Sequence, residues 1–268
     1  MKNIGIIGTG NIGTHLLKLM CRNNAQNYLT IADVIEEKAE DYAYKFGIEA
    51  NTSQELIESS DFLFLTVKPD QISSVCQEIN HYTQDGRKSK LIIVSAAAGV
   101  PISKLDKWTL NQHHIVRCMP NIPISISEGS ILWYTAADLD PADKELFAEI
   151  TEGPLNMWVA KEELIDSGTI LSGCSPAYLA KIYQTYIEMG KELGFTQAQS
   201  RQLLHNSFEG TIKLLLDNSP QYLMDQVASK GGATERSLEI MDQHGLSDII
   251  KQSVDYSMER IKSIRDKV

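Results

Sequence analysis

Apolar positions in the first half of the chain fall into short runs separated by helical patterns. Ile4-Gly5-Ile6-Ile7 is a compact apolar run. From Asn11 to Arg22, Ile12, Leu16, Leu19 and Met20 then follow at the three-and-four spacing of an amphipathic helix. Tyr28 to Ala32 reads as a second strand, and Glu36 to Phe46 as a second helix that Gly47 stops. Thr52-Ser-Gln-Glu55 has the reciprocal side-chain pattern that opens a short third helix. Phe62 to Val67 and Leu91 to Val94 are continuous and apolar, as strands buried on both faces are. Ile115 to Met119 and Ile131 to Tyr134 add two more strands, and Asp140-Pro141 supplies the N-cap and first turn of another helix. This alternation predicts an α/β fold built on a parallel, doubly wound sheet.

The pattern changes from about Glu162, beyond which no convincing strand remains. Pro176 to Leu193 is apolar almost all round, with Leu179, Ile182, Tyr183, Tyr186, Ile187 and Met189, and such a helix is expected to be buried on every side. Thr196-Gln-Ala-Gln199 caps the next helix, whose apolar face is Leu204, Phe208, Ile212 and Leu216, and a last helix starts near Leu246. The expected organisation is a doubly wound domain over residues 1–160 and an all-helical domain over residues 161–268.

Composition narrows the partners. Lysine and arginine number 25 against 35 acidic residues, a net charge of −10, which offers no basic footprint for nucleic acid or anionic lipid. No apolar stretch approaches the roughly 20 residues that span a bilayer, and no secretory signal is apparent, so neither membrane nor nucleic acid is an expected partner. Cys21, Cys76, Cys118 and Cys174 are far apart and form no Cys-x-x-Cys pair, and none of the six histidines stands four residues from another on a helix. No metal site is expected, and a reducing cytoplasm suits the four thiols.

The candidate chemistry begins at Gly8-Thr9-Gly10-Asn11-Ile12-Gly13, between the first strand and the first helix. Glycines there permit a tight turn and let the backbone approach a pyrophosphate seated on the helix N-terminus. The pattern alone is weak. Its place in the chain, and Asp33 twenty positions past Gly13, complete a dinucleotide fingerprint. Asp33 then accepts from the ribose 2′-OH of NAD and repels a 2′-phosphate. The competing reading is a glycine turn in an unrelated fold with Asp33 a surface carboxylate.

Five stretches fall in the order and spacing of one family. They are the glycine loop, Val67-Lys68-Pro69, Arg117-Cys-Met119-Pro120-Asn121, Ser172-Gly-Cys-Ser-Pro176-Ala177-Tyr178 and Val227-Ala-Ser229-Lys-Gly231-Gly232-Ala233-Thr234. Over essentially its whole length the chain resembles the pyrroline-5-carboxylate reductases. The resemblance implies a Rossmann domain followed by a helical domain that dimerises by interlocking with its partner's. It implies a homodimer, with a larger homo-oligomer as the further option. It also implies NAD(P)H-dependent reduction of a cyclic imino acid, 1-pyrroline-5-carboxylate, to proline in the cytoplasm.

In the family Val67-Lys68-Pro69, Ala96 to Gly99 (with Ala97) and Met119-Pro120-Asn121 line the dinucleotide cleft. Lys68 is equally a solvated lysine. Asn121, whose amide can hold the nicotinamide carboxamide, is equally a turn residue between two prolines. The resemblance assigns the substrate carboxylate to the backbone of Ser229, Gly231, Gly232 and Ala233, with the Gly232 and Ala233 N–H groups as its donors, and the ring nitrogen to the Thr234 hydroxyl. The structural alternative is a helix connection with Thr234 as its N-cap.

The chain departs from the family in its second half. Ser175 stands for a glycine, Lys230 for the proline before the double glycine (a lysine is found there in late-competence-type paralogues), and Glu235-Arg236-Ser237 for apolar and small residues. Val34 follows Asp33 where the family often has an arginine suited to NADP, so NADH is the expected preference. A related imine reductase, or a nucleotide-sensing protein without turnover, are the other functions these residues allow.

Overall fold

The computed structural model describes residues 2–84 and 90–268. They form two compact units, the first running to Pro176 and taking in Ser257–Val268, the second Ala177–Tyr256.

In the first unit, strands β1 (Ile4–Ile7), β2 (Leu29–Ala32), β3 (Glu49–Ala50), β4 (Phe62–Leu65), β5 (Ile92–Ser95), β6 (His114–Pro120), β7 (Ser130–Tyr134) and β8 (Leu155–Trp158) make one sheet, in the order β3-β2-β1-β4-β5-β6-β7-β8. Its helices are α1 (Asn11–Arg22), α2 (Glu36–Phe46), α3 (Ser53–Ser59), α4 (Ile72–Thr83), α5 (Ile102–Trp108), α6 (Pro141–Ile150) and α7 (Glu163–Gly168). Strands β1 to β6 are parallel, and the chain order reverses between β1 and β4, the switch point at which open α/β sheets bind ligands.

Successive residues of β4 face opposite ways. Phe62 and Phe64 pack with Leu16, Trp133 and Phe147, whereas Leu63 and Leu65 pack with Val75, Ile79 and Ile93. Both faces of the sheet are therefore buried, as the unbroken apolar runs imply. Thr52 caps α3 with the expected reciprocal bonds to Glu55, and the Asp140 side chain caps α6 by accepting from the Ala142 N–H.

The sheet is not wholly parallel. β7 runs antiparallel to β6, because the connection over residues 121–129 is too short for the crossover a parallel neighbour needs. After α6, β8 adds parallel to β7 and closes the strand-bearing part of the chain at Trp158.

A π-helical segment, Thr169–Cys174, follows α7 and leads into α8 (Ser175–Glu192). The second unit continues with α9 (Gln197–Leu214), α10 (Pro220–Val227) and α11 (Ala233–Gln243), and α12 (Leu246–Lys267) begins in it. Helix α8 is not buried on every side in its own chain. Only Ile187 and Gly190 are buried, while Leu179, Ile182, Tyr186 and Met189 are exposed. The apolar reading of the helix is right, but a unit of this size supplies too few neighbours to cover it.

Candidate functional site

The three glycines of the first loop are glycine for three different reasons. Gly8 is left-handed at φ +99°, and a Cβ there would stand 2.8 Å from Val67 Cγ1. A Cβ on Gly13 would stand 2.0 Å from the Gly8 carbonyl oxygen and 2.6 Å from Thr66 Oγ1, so α1 packs onto the strands only with hydrogen at this position. Gly10, the N-cap of α1, has φ −67° and ψ −168°, which any residue adopts, and a Cβ there would meet nothing within 4 Å. Nothing in the chain itself asks for glycine at residue 10. The missing side chain leaves open space at the head of a helix, where the first-turn N–H groups of Asn11, Ile12 and Gly13 lack intrahelical acceptors. That space belongs to a cleft of about 380 Å³ lined by Gly8, Gly10, Asp33, Lys38, Val67 and Lys68 among others. A dinucleotide pyrophosphate fits this arrangement.

Asp33 follows β2 and is tied to the same loop. Its Oδ2 accepts from the Thr9 N–H at 2.6 Å and the Thr9 hydroxyl at 2.7 Å, and its Oδ1 from the Ile35 N–H at 3.1 Å. Lys38 Nζ lies 3.7 Å from Oδ2. Burial acts to raise its pKa, but the Thr9 and Ile35 hydrogen bonds and the Lys38 charge outweigh it and hold the carboxyl below its ordinary range. Asp33 is thus an ionised brace of the glycine loop as well as a wall of the cleft. Val34 beside it is exposed.

Val67 and Lys68 line the cleft at the end of β4, with Lys68 exposed and Pro69 opening a short 3₁₀ turn. Ala97, Met119 and Pro120 are buried. They sit past the ends of β5 and within β6, on the edge that the register Ile7, Leu65, Ser95, Arg117 defines. Asn121 is also buried, and its amide is already engaged. Nδ2 donates to Ser172 Oγ at 3.0 Å, Oδ1 accepts from the Ser130 N–H at 3.0 Å, and Ser130 and Ser172 bond through their hydroxyls. In this structure Asn121 joins the end of β6 to the π-helical segment.

The sequence also carries a charge inside a strand. Arg117 interrupts the apolar run of β6 and is 1% exposed, which obliges it to find anionic partners. It donates to Asp166 Oδ1 at 2.7 Å and to Glu162 Oε1 at 3.0 Å. Asp166 also bonds Arg265, and Glu162 Oε1 accepts from the Ile102 N–H at 2.7 Å. This network ties α7 and the returning end of α12 to the sheet.

The second candidate region lies in the second unit, between α10 and α11. Gly231 is left-handed at φ +74°. A Cβ on Gly232 would fall 2.5 Å from Ser229 Oγ, and the Gly232 N–H closes a turn onto the Ser229 carbonyl at 2.8 Å. The N-cap of α11 is Gly232 and not Thr234, which stands at the second helical position, half-buried. Its hydroxyl is therefore not spent on capping. The N–H groups of Ala233 and Thr234 head the helix, while the Gly231 N–H donates to Glu235 Oε2 at 2.7 Å. Among the described residues no three His, Cys, Asp or Glu side chains converge as metal ligands, and no helix is long and apolar enough to cross a membrane.

Two family models match the chain. One is described as pyrroline-5-carboxylate reductase dimerisation, over residues 162–264, and the other as NADP oxidoreductase coenzyme F420-dependent, over residues 3–99. Pyrroline-5-carboxylate reductase 2 of Homo sapiens is 31% identical, over 82% of this chain and 70% of its own length. A pyrroline-5-carboxylate reductase of Coxiella burnetii is 26% identical, with a TM-score of 0.84 over 98% of both chains. The Plasmodium falciparum pyrroline carboxylate reductase, solved with NADP bound, has the same fold, with a TM-score of 0.88 over 98% of both chains at 23% identity. The chain belongs to the pyrroline-5-carboxylate reductase family.

Proposed function

We propose that the protein reduces 1-pyrroline-5-carboxylate to L-proline, using a reduced nicotinamide dinucleotide, as a homodimer in the cytoplasm. The observation that carries the cofactor half is the open space at Gly10, glycine where only a ligand needs it. When bound, the nicotinamide supplies a hydride to the imine carbon. The chain's part is to bind and orient. The head of α1 receives the pyrophosphate, and Val67 and Lys68 wall the cleft. Met119, Pro120 and Ala97 shape the sheet edge beyond it.

A cyclic imine arriving as the iminium needs no strong acid, because the C=N electron pair moves onto a nitrogen that already carries its proton. What it needs is position. We assign the ring nitrogen to the Thr234 hydroxyl and the substrate carboxylate to the backbone of residues 229–233, chiefly the N–H groups of Gly231 and Ala233. The Gly232 N–H, expected from the sequence to share the carboxylate with that of Ala233, is instead spent on the Ser229 carbonyl, where it closes the turn.

NADH is the preferred donor in this reading. Ionised Asp33 and its acidic followers Glu36 and Glu37 repel a 2′-phosphate, and exposed Val34 offers it no hydrogen bond. Lys38 moderates the preference without reversing it, since its charge is already directed at Asp33. The uncovered apolar face of α8 supports the homodimer. The four cysteines are free, as a reducing compartment keeps them.

The test is a spectrophotometric assay with pyrroline-5-carboxylate and each cofactor. Turnover with kcat/KM higher for NADH supports the reading; equal or better kcat/KM with NADPH removes the assigned preference, and no turnover with either removes the function. Light scattering at micromolar concentration checks the assembly, and a monomer contradicts it.

A further inference from the structure

Glu235 occupies the backbone donor that the substrate assignment requires. Its side chain leaves the third position of α11 and folds back, so that Oε2 accepts from the Gly231 N–H at 2.7 Å. A Glu at this position commonly reaches back to the N-cap N–H as half of a reciprocal cap whose other half is an N-cap hydroxyl. Here the N-cap is Gly232, which has no hydroxyl, and the bond goes one residue further, to the left-handed Gly231. The Gly232 N–H closes onto the Ser229 carbonyl at 2.8 Å, so within this loop it is the Gly231 N–H that meets a carboxylate. One carboxylate is already held there, and it is the chain's own. Glu235 is half-buried and so is kept beside the loop.

We infer that Glu235 is a built-in competitor for the substrate carboxylate. With Glu235 on Gly231, an imino acid finds only the Ala233 and Thr234 N–H groups at the head of α11 and meets a like charge beside them. With Glu235 turned away, it gains the Gly231 N–H and loses the repulsion. The consequence is selective. Glu235 weakens binding of imines that carry a carboxylate and leaves those without one untouched, so it sets how far this protein discriminates between the two classes. The inference rests on the proposed reductase reading for the identity of the displacing anion.

The experiment compares wild type with Glu235→Gln and Glu235→Ala, each checked by thermal melting, using pyrroline-5-carboxylate and the carboxylate-free 1-pyrroline. The ratio of kcat/KM for the first over the second is expected to rise threefold to tenfold, more for Ala than for Gln. A tenfold change is 1.4 kcal/mol, close to what one charge at a helix N-terminus contributes. A ratio that stays the same or falls overturns the inference and leaves Glu235 as a helix cap only. A second readout does not depend on turnover: the Gly231 amide signal of the ¹⁵N-labelled full chain during titration with L-proline. Half-saturation at a lower L-proline concentration in Glu235→Gln is the expected result, and no difference from wild type overturns it. If no protein reduces either imine, the reductase reading fails, while the L-proline titration still decides the role of Glu235.

Discussion

Alanine at Gly10 and at Gly13 should separate cofactor binding from folding within a span of four residues. At Gly10 the backbone already suits alanine and the new Cβ touches nothing, so no strain arises. Replacing glycine where the conformation is compatible stabilises by about 0.4–1 kcal/mol through the unfolded chain. Losing a glycine N-cap to alanine offsets part of that. The melting temperature should therefore stay within a few degrees of wild type, at about 2–4 °C per kcal/mol for a domain of this size. The same methyl fills the space into which a pyrophosphate must come. Backing the anion off the helix head weakens hydrogen bonds that are each worth about 1.5–3 kcal/mol when one partner is charged. Loss of one such bond corresponds to a roughly ten- to hundredfold weaker NADH complex, and loss of two to as much as ten-thousandfold.

At Gly13 the position is reversed. A contact of 2.0 Å with a backbone oxygen cannot be relieved by a side-chain rotation. Helix α1 must shift off the sheet, at a cost of about 1–3 kcal/mol or more, and the melting temperature should fall by about 2–12 °C. NADH fluorescence titration and thermal melting on both variants read the two quantities separately. A Gly10→Ala protein that melts as low as Gly13→Ala, or that binds NADH as wild type does, would refute the assignment of that space to the cofactor.

Thr234→Ala should lower kcat/KM for the imine by roughly ten- to a hundredfold, since one hydrogen bond and the positioning it brings are at stake, with NADH affinity unchanged; full activity would show that the hydroxyl does not touch substrate. Arg117→Met leaves the buried Asp166 with one partner fewer and should cost about 3–5 kcal/mol, visible in denaturant titration, with part recovered when Asp166→Leu is added. Asp33→Asn should melt below wild type at neutral pH, because a carboxyl whose folded pKa is depressed stabilises above its unfolded value; the gap should close as the pH falls through the folded value, and a gap that widens in acid contradicts the sign. Burial pushes the thiols of Cys21 to about 11 and of Cys76 and Cys118 to about 12, so a native thiol titration at pH 7.5 should label no more than one cysteine per chain, Cys174.

Much of this was legible because local rules decide it. The runs that became β1, β4 and β5 are apolar without alternation, which only a doubly covered sheet explains, and the Thr52 and Thr196 caps follow from residues three apart. The reversal of β7 was not legible from its own residues, since Ser130 to Tyr134 reads the same in either direction; the length of the segment before it decided the matter. β3 is too short to register, and β8 follows a Gly153-Pro154 turn with only four residues of strand. The composition of α8 told that it is apolar but not which chain covers it. In the candidate site, the glycine loop and Asp33 came from spacing together with their place between a strand and a helix. The Asn121 bonds to Ser130 and Ser172, and the reach of Glu235 to Gly231, depend on rotamers and turns that no periodicity encodes.

The return of α12 to the first unit has a consequence for how the protein is made. Gly99, left-handed at φ +74°, packs against the carbonyl of Ile261 and the side chain of Ile264, Lys104 bonds the Arg265 carbonyl, and Arg265 completes the pairing of Asp166. Residues 257–268 are thus part of a body whose strands all lie before residue 159. On the ribosome the sheet can form early, but the pocket around Asp166 stays without its second arginine, and the loop at Gly99 without its cover, until the helices of the second unit have emerged. Closing contacts across such a separation in sequence is slow, so although the sheet can form as it is synthesised, the contacts of Asp166, Lys104 and Gly99 with residues 261–265 come last.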